Sequence, residues 1–481
     1  MPSSLSDLSL PTGWADLGGL LHRWLVAQRW FGGKGRHQAA SEIADTALLP
    51  GEHGGTDVLV VLLSVTYDDG AWEHYHLPLV ADPDSPIARV GRVSLGDATA
   101  DRGGVRTLAA AATRDRTVAT TMGSQLVGAP HGATAERLCV LDGEARWLGA
   151  EQSNSAAVLG EQWFVKVFRR VQAGPNPDVE LTAALTEAGS TEVPHQAGAL
   201  AWGGVATVAP ALVMVSHFET DAEDAWSQAV ADAGAVAAGL APPHALVDGA
   251  ADLGRLIAEL HRVLADRLGT HEIGHETLAG WAHAMTSQLD RVLKLADGST
   301  QPHVRAVVDA ADELHRRFQG LCEIASPGRS MRVHGDLHLG QLLRRADGAW
   351  LVLDFEGAPA RPLDERRRPH SPLRDVAGMV RSFDYAATHD AASRGEAGPP
   401  PVLRAWRDEL VGGFTAAYDA AAPPHLLPPD PSAHRWLRSA LVLDEAVYEL
   451  GYELDNRPCW AAIPAGGILR VLAGEGAEMT P

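Results

Sequence analysis

Residues 331–357 read MRVHGDLHLGQLLRRADGAWLVLDFEG, a β-like island within a half of the chain whose pattern is otherwise helical. An HGD triplet ends in Asp336, Gln341 follows five residues later, and Asp354 comes after an Asp-Gly turn signal. A loop that carries a carboxylate and an amide, followed by a tight strand pair that ends in a second carboxylate, can place these groups around one pocket. The spacing therefore predicts one polar site built from neighbouring stretches of chain.

Phosphoryl transfer from ATP needs this set of groups. One carboxylate must orient and deprotonate the attacking hydroxyl, while an amide and a second carboxylate must hold Mg²⁺ against the phosphates. Asp336 is then the predicted base, and Gln341 and Asp354 are the predicted metal ligands. Their order is similar to the HRDxxxxN and DFG elements of protein kinases, with Gln in place of Asn and Glu356 in place of Gly. A lone HGD more often serves local hydrogen bonds, so the prediction depends on the whole set.

A lysine on a predicted strand lies upstream of this island. Lys166 stands between Val165 and Val167, like the strand lysine that contacts the ATP phosphates in kinases. Glu180, near the start of the next predicted helix, is the expected ion-pair partner of Lys166. An acid favoured by the helix dipole in a first turn explains Glu180 nearly as well. Three elements in this order favour a phosphotransferase.

The composition limits the partners that the chain can have. It holds 40 Lys and Arg against 61 Asp and Glu, a formal net charge of -21, which argues against nucleic acid and anionic membrane surfaces. The three cysteines lie far apart in the 481 residues, so neither a disulfide framework nor a paired-cysteine metal site is expected. The sequence opens without a leader pattern and has no run of about 18 apolar residues. We therefore expect a cytoplasmic protein with no membrane partner.

The period of the apolar residues changes along the chain. Residues 58–67 and 72–80 predict a hairpin around the turn DDG, and residues 205–219 read as a pair of strands with Pro210 between them. Beyond this point the apolar residues mostly recur with helical period. The predicted parts of this α+β chain are a cap at 1–90, a β-rich N-lobe at 91–220 and a mainly helical C-lobe at 221–481.

Several long motifs give the sequence a specific family resemblance. They are LGAEQSNS, FVKVFRRVQAGPNPDVE, VHGDLHLGQ and LDFEGAPARPLDERRRPHSPLRDVAGMVRSFDYAA, with an early QRWFGGKGR and a late NRPCWAAIP. From about residue 20 to 470 the chain resembles the actinobacterial maltokinases, which are similar to aminoglycoside phosphotransferases and eukaryotic-type kinases. The resemblance implies a bilobal protein-kinase-like fold with an additional N-terminal cap. It also implies ATP and Mg²⁺ as cofactors and phosphorylation of the C1 hydroxyl of maltose, which feeds α-glucan and glycogen synthesis.

The resemblance further implies roles for individual residues. Asp336 acts as the base and Lys166 contacts the phosphates, while Glu356 joins Gln341 and Asp354 around Mg²⁺. Maltokinases are related to a route that builds glycogen from maltose 1-phosphate, so trehalose synthase is an implied partner protein. The small-molecule partners implied are maltose and ATP.

Nucleotide binding is expected at two further places. Ser153, Asn154 and Ser155 lie in the loop over the phosphates. This loop is not glycine-rich, so its backbone and hydroxyl groups would have to cradle the phosphates. Backbone groups near Val215 and His217, where strands give way to helices, are expected to bind adenine.

The acceptor site is predicted near the C-terminal end of the chain. Tyr448 and Tyr452 share one face of a predicted helix, and Glu445 and Glu449 share a neighbouring stripe. Aromatic faces and carboxylates suit the CH faces and the hydroxyl groups of a sugar. A packed Tyr face with a solvated Glu face explains the pattern equally well. His338, two residues after the base, is a further candidate contact, although a structural hydrogen bond is the more usual role of such a histidine.

Three functions stay open on the sequence. The first is a maltokinase. The second is a glucosamine or aminoglycoside kinase with the same machinery, because Glu445 stands where maltokinases often have Lys and an acid favours a cationic acceptor. The third is a pseudokinase or binding module that docks a partner enzyme through its N-terminal part. It is disfavoured because no catalytic position is lost.

Overall fold

The computed structural model describes residues 4–51, 55–82, 84–131, 144–150, 154–205, 208–240, 245–359, 361–394 and 398–474. The chain forms two compact units. Unit 1 contains Met1–Thr220 and Pro359–Leu363, and unit 2 contains Asp221–Ala358 and Asp364–Pro481. The predicted division into three parts stays a prediction, since the cap and the N-lobe lie together in unit 1. Within the described residues, no helix is long and apolar enough to cross a membrane.

Unit 1 begins with helices packed on an antiparallel sheet. The elements are α1 (Leu5–Leu8), α2 (Trp14–Leu25), β1 (Gln38–Leu49), β2 (Val58–Tyr67), β3 (Trp72–Ala81), β4 (Ala88–Val90) and β5 (Val93–Asp97). The strands pair in the order β1-β2-β3-β5-β4, and a short later strand, β11 (Arg170–Val171), joins β3. Leu17, Leu21 and Leu25 recur every four residues on α2 and are fully buried against this sheet.

A second sheet completes unit 1. Its elements are α3 (Arg102–Thr113), β6 (Arg116–Ala119), β7 (Gln125–Pro130), β8 (Ala145–Ala150), β9 (Asn154–Leu159), β10 (Trp163–Phe168), α4 (Pro177–Glu187), β12 (Gln196–Trp202) and β13 (Ala211–His217). The strands pair in the order β6-β7-β12-β13-β10-β9-β8. Val60 of the first sheet, Leu108 of α3 and Val213 of the second sheet belong to one buried cluster. The two sheets therefore share a hydrophobic core.

The strand predictions for unit 1 are partly confirmed. Residues 58–67 and 72–80 form the predicted antiparallel hairpin. Residues 205–219 do not form two strands about Pro210, because in the described residues only β13 lies in this range. The strands that pair with β13 are β12 and β10, which both lie earlier in the sequence.

Unit 2 is mostly helical and has two small sheets, β14-β17-β18 and β15-β16. Helices α5 to α14 cover most of its described residues. The elements are β14 (Ala222–Asp224), α5 (Ala225–Ala237), α6 (Ala245–Leu268), β15 (Thr270–Glu272), α7 (His275–Ala296), α8 (Pro302–Asp309), α9 (Ala311–Gln319), β16 (Arg329–Met331), β17 (Leu342–Arg345), β18 (Trp350–Val352), α10 (Leu363–Arg366), α11 (Leu373–Ser393), α12 (Pro401–Ala421), α13 (Pro431–Asn456) and α14 (Ala462–Ala473). The β-like island of the sequence is β16, a loop and the hairpin β17–β18.

Candidate active site

Lys166 lies in β10 of unit 1 and is only 2% exposed. β10 pairs with β9 and β13, so Lys166 stands between Ala156 and Met214. Its Nζ donates a hydrogen bond of 2.8 Å to Oδ2 of Asp178, in the first turn of α4. A buried charge is stable only when it is paired. Lys166 and Asp178 therefore form an ion pair that holds the ammonium group within unit 1.

Glu180, the predicted partner of Lys166, lies two residues after Asp178 in the first turn of α4. Lys166 forms an ion pair of 2.8 Å with Asp178, whose N–H donates a hydrogen bond to the Asn176 side chain. The sequence prediction did not include Asp178, and the pairing of Lys166 with Glu180 stays a prediction.

The predicted phosphate loop is described in part. Ser153 lies outside the described residues, while Asn154 and Ser155 begin β9 and are both buried. The Ser155 hydroxyl accepts a hydrogen bond of 2.9 Å from Nε of Arg169. Arg169 is 1% exposed and also donates to Asp97 at 2.6 Å. The Ser155 hydroxyl thus holds a buried arginine, and the cradling role of this loop stays a prediction.

The predicted adenine-binding segment lies at the end of β13. Val215 is fully buried within the strand, and the ring of His217 lies 4.6 Å from the ring of Trp163. The N–H of Phe218 donates to the carbonyl oxygen of Gln162 at 2.8 Å. These contacts tie the end of β13 to the start of β10, and the adenine contacts stay a prediction.

In unit 2, the loop that carries Asp336 is held through hydrogen bonds of its backbone N–H groups. The N–H groups of His334 and Gly335 donate to the two oxygens of Asp375, each at 2.8 Å. Nε2 of His334 donates to the carbonyl oxygen of Leu353, also at 2.8 Å. Gly335 has a φ of 79°, in the left-handed region that favours glycine. The position of Gly335, directly before Asp336, is therefore fixed by the carboxylate of Asp375 and by its own left-handed backbone conformation.

Two buried side chains, His261 and Tyr418, support Asp375 through further hydrogen bonds. Nε2 of His261 donates to Asp375 at 2.9 Å, and Nδ1 of the same ring is hydrogen-bonded to the hydroxyl of Tyr418 at 2.9 Å. Burial pushes the pKa of Asp375 upwards, but His261, the charge of His334 and the N–H of Gly335 together hold the pKa below its usual value. The sequence prediction assigned no role to these three residues. They are distant from the HGD triplet in sequence, and only Asp375 lies in one of the motifs that carry the family resemblance.

Asp336 has an environment that suits a base. Burial raises the pKa of its carboxyl group, and the carboxylates of Asp354 and Asp375 add to the shift, while His334 and Arg374 oppose it. A carboxylate with a raised pKa accepts a proton from a hydroxyl more readily than an ordinary one does. Its carboxylate oxygens accept no hydrogen bond from the described part of the chain.

The three predicted metal ligands flank the hairpin β17–β18, since Gln341 directly precedes β17 and Asp354 and Glu356 follow β18. Nε2 of Gln341 donates to Oδ2 of Asp354 at 3.4 Å, and the N–H of Leu353 donates to the carbonyl oxygen of Gln341 at 2.9 Å. Asp354 has a φ of 59°, an unusual conformation for a residue with a side chain. Glu356 follows it and lies 4.0 Å from Arg366. Carboxylate and amide oxygens are the ligands that Mg²⁺ prefers, so the residues fit the ion.

His338 has a structural contact within the loop. Its Nδ1 accepts a hydrogen bond of 3.1 Å from the N–H of Gly340. Burial lowers the pKa of His338 to about 4, so the ring is neutral near pH 7. The next residue, Leu339, donates its N–H to the hydroxyl of Ser382 on α11 at 3.0 Å. A sugar contact of His338 stays a prediction.

The predicted acceptor helix, α13, packs on α11. Oε2 of Glu449 accepts hydrogen bonds from Nε and Nη2 of Arg381 at 2.9 and 2.7 Å. Burial raises the pKa of Glu449 to about 8, although Arg381 opposes this shift, and Glu445 adds to it. Glu445 and Tyr448 are half-buried. The acidic stripe is thus not a fully solvated face, because Glu449 pairs with the buried Arg381.

The end of α13 presents an aromatic and cationic surface. Tyr452 is 43% exposed. The guanidinium carbon of Arg457 lies 5.6 Å from the ring of Tyr452 and 4.6 Å from the ring of Trp460. Arg457 also donates to Glu453, which is 1% exposed, at 2.9 and 2.6 Å. The rings of Tyr452 and Trp460 therefore flank a fixed arginine.

The comparisons with known proteins agree on one family. Residues 24–115 match the maltokinase N-terminal cap domain. A glucosamine kinase from Streptacidiphilus jiangxiensis is 30% identical over 351 residues, which cover 70% of this chain and 77% of that protein. A glucosamine kinase from Mycolicibacterium smegmatis is 30% identical over 339 residues, 68% of this chain and 79% of that protein.

A solved structure extends the similarity to nearly the whole chain. The structure of glucosamine kinase in complex with glucosamine, ADP and inorganic phosphate covers 94% of this chain and 98% of its own, with a TM-score of 0.68 and 25% identity. This match and the cap domain confirm the predicted α+β kinase fold with an N-terminal cap. The chain therefore belongs to the family of capped sugar kinases that contains these glucosamine kinases, and it is a phosphotransferase that acts on sugars.

Proposed function

We propose that this protein is an ATP-dependent kinase that phosphorylates a hydroxyl group of an amino sugar of the glucosamine class. The observation that carries the proposal is the 30% identity over 351 residues to a protein named glucosamine kinase. A relative whose structure holds glucosamine and ADP supports it. The half-buried Glu445 beside Glu449 supports a cationic acceptor, because an ammonium group binds best next to a carboxylate.

Maltose is the second candidate acceptor. It is the sugar that the family resemblance implied, and the match of residues 24–115 to the maltokinase cap favours it. Maltose is neutral, so its recognition would depend on hydroxyl hydrogen bonds and on rings such as Tyr448 and Tyr452. The association with trehalose synthase stays a prediction of the same kind.

The proposed chemistry assigns one step to each group. The carboxylate of Asp336 accepts the proton of the acceptor hydroxyl, whose oxygen attacks the γ-phosphorus of ATP while the bond to ADP breaks. Lys166 contacts the ATP phosphates, and Asp178 holds its ammonium group in place. Mg²⁺, when bound by Asp354, Gln341 and Glu356, offsets the negative charge of the phosphates.

A screen of acceptors tests the proposal. ATP consumption is measured with glucosamine, maltose, glucose and an aminoglycoside, each over a range of concentrations. We expect the highest kcat/KM with glucosamine. A higher kcat/KM with maltose would select the second candidate, and no consumption with any sugar would favour a binding module instead.

The base is tested by Asp336→Asn, which keeps the shape of the side chain and removes its basicity. We expect kcat to fall by roughly two to four orders of magnitude with every acceptor, with little change in ADP affinity. Asp347→Asn, at an exposed turn of the same hairpin, is the matched control and should keep full activity. Wild-type turnover in Asp336→Asn would remove the base assignment.

A further inference from the structure

Arg374 is a cation close to the predicted base, and no described residue forms an ion pair with it. It is half-buried in the first turn of α11 and precedes Asp375. In the described part of the chain, its guanidinium group forms no salt bridge within 4.0 Å. Arg366 differs from Arg374, because its guanidinium group donates a hydrogen bond of 2.7 Å to the carbonyl oxygen of Glu356. An unpaired guanidinium in such a position is available for an anionic ligand.

The fold fixes the relative position of Arg374 and Asp336. Asp375 binds the N–H of Gly335 at 2.8 Å. Arg374 directly precedes Asp375 in the sequence, and Asp336 directly follows Gly335. Both are therefore sequence neighbours of the two residues that this hydrogen bond joins. The charge of Arg374 acts on the carboxyl group of Asp336, yet the two groups are more than 4.0 Å apart. The opposite charges therefore interact without forming a direct ion pair.

We propose that Arg374 is a further catalytic residue, which binds the phosphoryl group on the acceptor side as it is transferred and holds the phosphorylated product. The acceptor oxygen loses its proton to Asp336 and forms the new bond to phosphorus, and ADP takes the electron pair of the bond that breaks. Arg374 stays protonated and donates N–H groups to non-bridging phosphoryl oxygens. The inference rests on the proposed function and adds a residue to the same site.

The test compares Arg374→Gln and Arg374→Lys with the wild type. Calorimetry measures the affinity for the acceptor sugar and for its phosphorylated product, both without nucleotide. We expect Arg374→Gln to weaken product binding by roughly 10- to 100-fold and to lower kcat, with unchanged affinity for the sugar itself. Arg374→Lys should recover part of both losses. Arg368→Gln, which removes an exposed arginine paired with Asp364 at 2.8 Å, is the control and should behave like the wild type.

A pH profile separates this role from an indirect one. If Arg374 acted only through the carboxyl group of Asp336, Arg374→Gln would shift the acid limb of kcat/KM and recover full turnover at pH 9, with unchanged product affinity. That result would overturn the inference and leave the kinase intact. A wild type that phosphorylates no sugar would instead contradict the proposed function.

Discussion

At the scale of a single residue, Asp375 holds the backbone of the loop that carries the predicted base. It binds two N–H groups of the HGD triplet, and His261 and Tyr418 form a line of hydrogen bonds behind it. An ionised Asp375 accepts a hydrogen bond from Nε2 of His261, and the hydroxyl of Tyr418 is bonded to the other ring nitrogen. The hydroxyl of Tyr418 therefore helps to orient the ring that supports Asp375.

Tyr418→Phe tests this line of hydrogen bonds. The substitution keeps the packing of the ring and removes the hydroxyl group that is bonded to His261. We therefore expect a loss of stability of about 1 kcal/mol and a several-fold fall in kcat with unchanged KM. Thermal unfolding and steady-state kinetics measure the two effects. Tyr67→Phe, which removes a buried hydroxyl bonded to Glu73 at 2.6 Å in unit 1, should lower stability alone. Equal kcat values for Tyr418→Phe and wild type would show that the line has no catalytic effect.

Glu445→Lys tests the charge of the acceptor site. If Glu445 faces the amino sugar, the reversed charge should raise the KM for glucosamine by roughly 10- to 100-fold and leave maltose activity intact or improved. Steady-state kinetics with both sugars give the answer. Glu409→Lys, on an exposed position of α12, makes the same charge change and should alter neither KM. An unchanged glucosamine KM in Glu445→Lys would exclude Glu445 from the acceptor site.

The candidate base and metal ligands could be predicted because they are close in sequence. Asp336, Gln341 and Asp354 lie on one loop and one hairpin, so their spacing determines their proximity. The anchor residues His261 and Tyr418 come from helices that only tertiary packing brings to the loop, and no local pattern marks them. Asp178, the observed partner of Lys166, was likewise not predicted, because sequence spacing alone does not determine which acids of a helical turn reach a lysine on a strand.

At the scale of elements, β3 connects the cap sheet to the strand that carries Lys166. The N–H of His76 donates to the carbonyl oxygen of Arg169 at 2.8 Å, and its Nδ1 lies 3.2 Å from the carbonyl oxygen of Phe168. Burial lowers the pKa of His76 to about 3, and the charge of Arg169 adds to the shift. The folded protein therefore keeps this ring neutral in acid.

A pH dependence of stability follows from His76. Below its ordinary pKa of about 6.5 the unfolded chain takes up a proton that the folded chain refuses, so the stability that His76 contributes is lost as the pH falls from 6.5 towards 3. The slope is at most about 1.4 kcal/mol per pH unit. Urea unfolding at pH 7, 6 and 5 should show a shallower slope for His76→Gln than for wild type. His37→Gln, at an exposed position, is the control, and equal slopes for His76→Gln and wild type would contradict the prediction.

The elements with strong local patterns were predicted well. The hairpin of β2 and β3 alternates and surrounds a clear turn, whereas β12 reads QAGALAW, which is rich in Ala and Gly and has weak strand preference. Its position between β7 and β13 makes it a strand. The sequence 205–219 looked more strand-like, but only part of it finds partners in the sheet.

At the scale of the whole molecule, the cap is part of the structure that holds Lys166. α3 and both sheets of unit 1 share one buried cluster, which includes Leu108, Val165 and Val213. A chain that begins at Arg116 would lack α3 and expose this core. We expect such a chain to show no cooperative unfolding of unit 1 and no ADP binding, as measured by circular dichroism and calorimetry.

A milder variant gives the same test in the full chain. Leu108→Ala removes a fully buried side chain and should lower the stability of unit 1 by roughly 2 to 5 kcal/mol. Hydrogen exchange should then show loss of protection in both sheets together. A truncated chain that folds and binds ADP, or a loss of protection confined to the cap sheet, would show that the cap is separable.

Unit 1 also contains Pro359–Leu363, which come after the whole first segment of unit 2, Asp221–Ala358, in the sequence. A ribosome releases the chain from its N-terminus, so unit 1 stays incomplete until residue 363 has emerged. By then Asp221–Ala358 are already outside the exit tunnel. The completion of unit 1 therefore overlaps with the synthesis of unit 2 during translation.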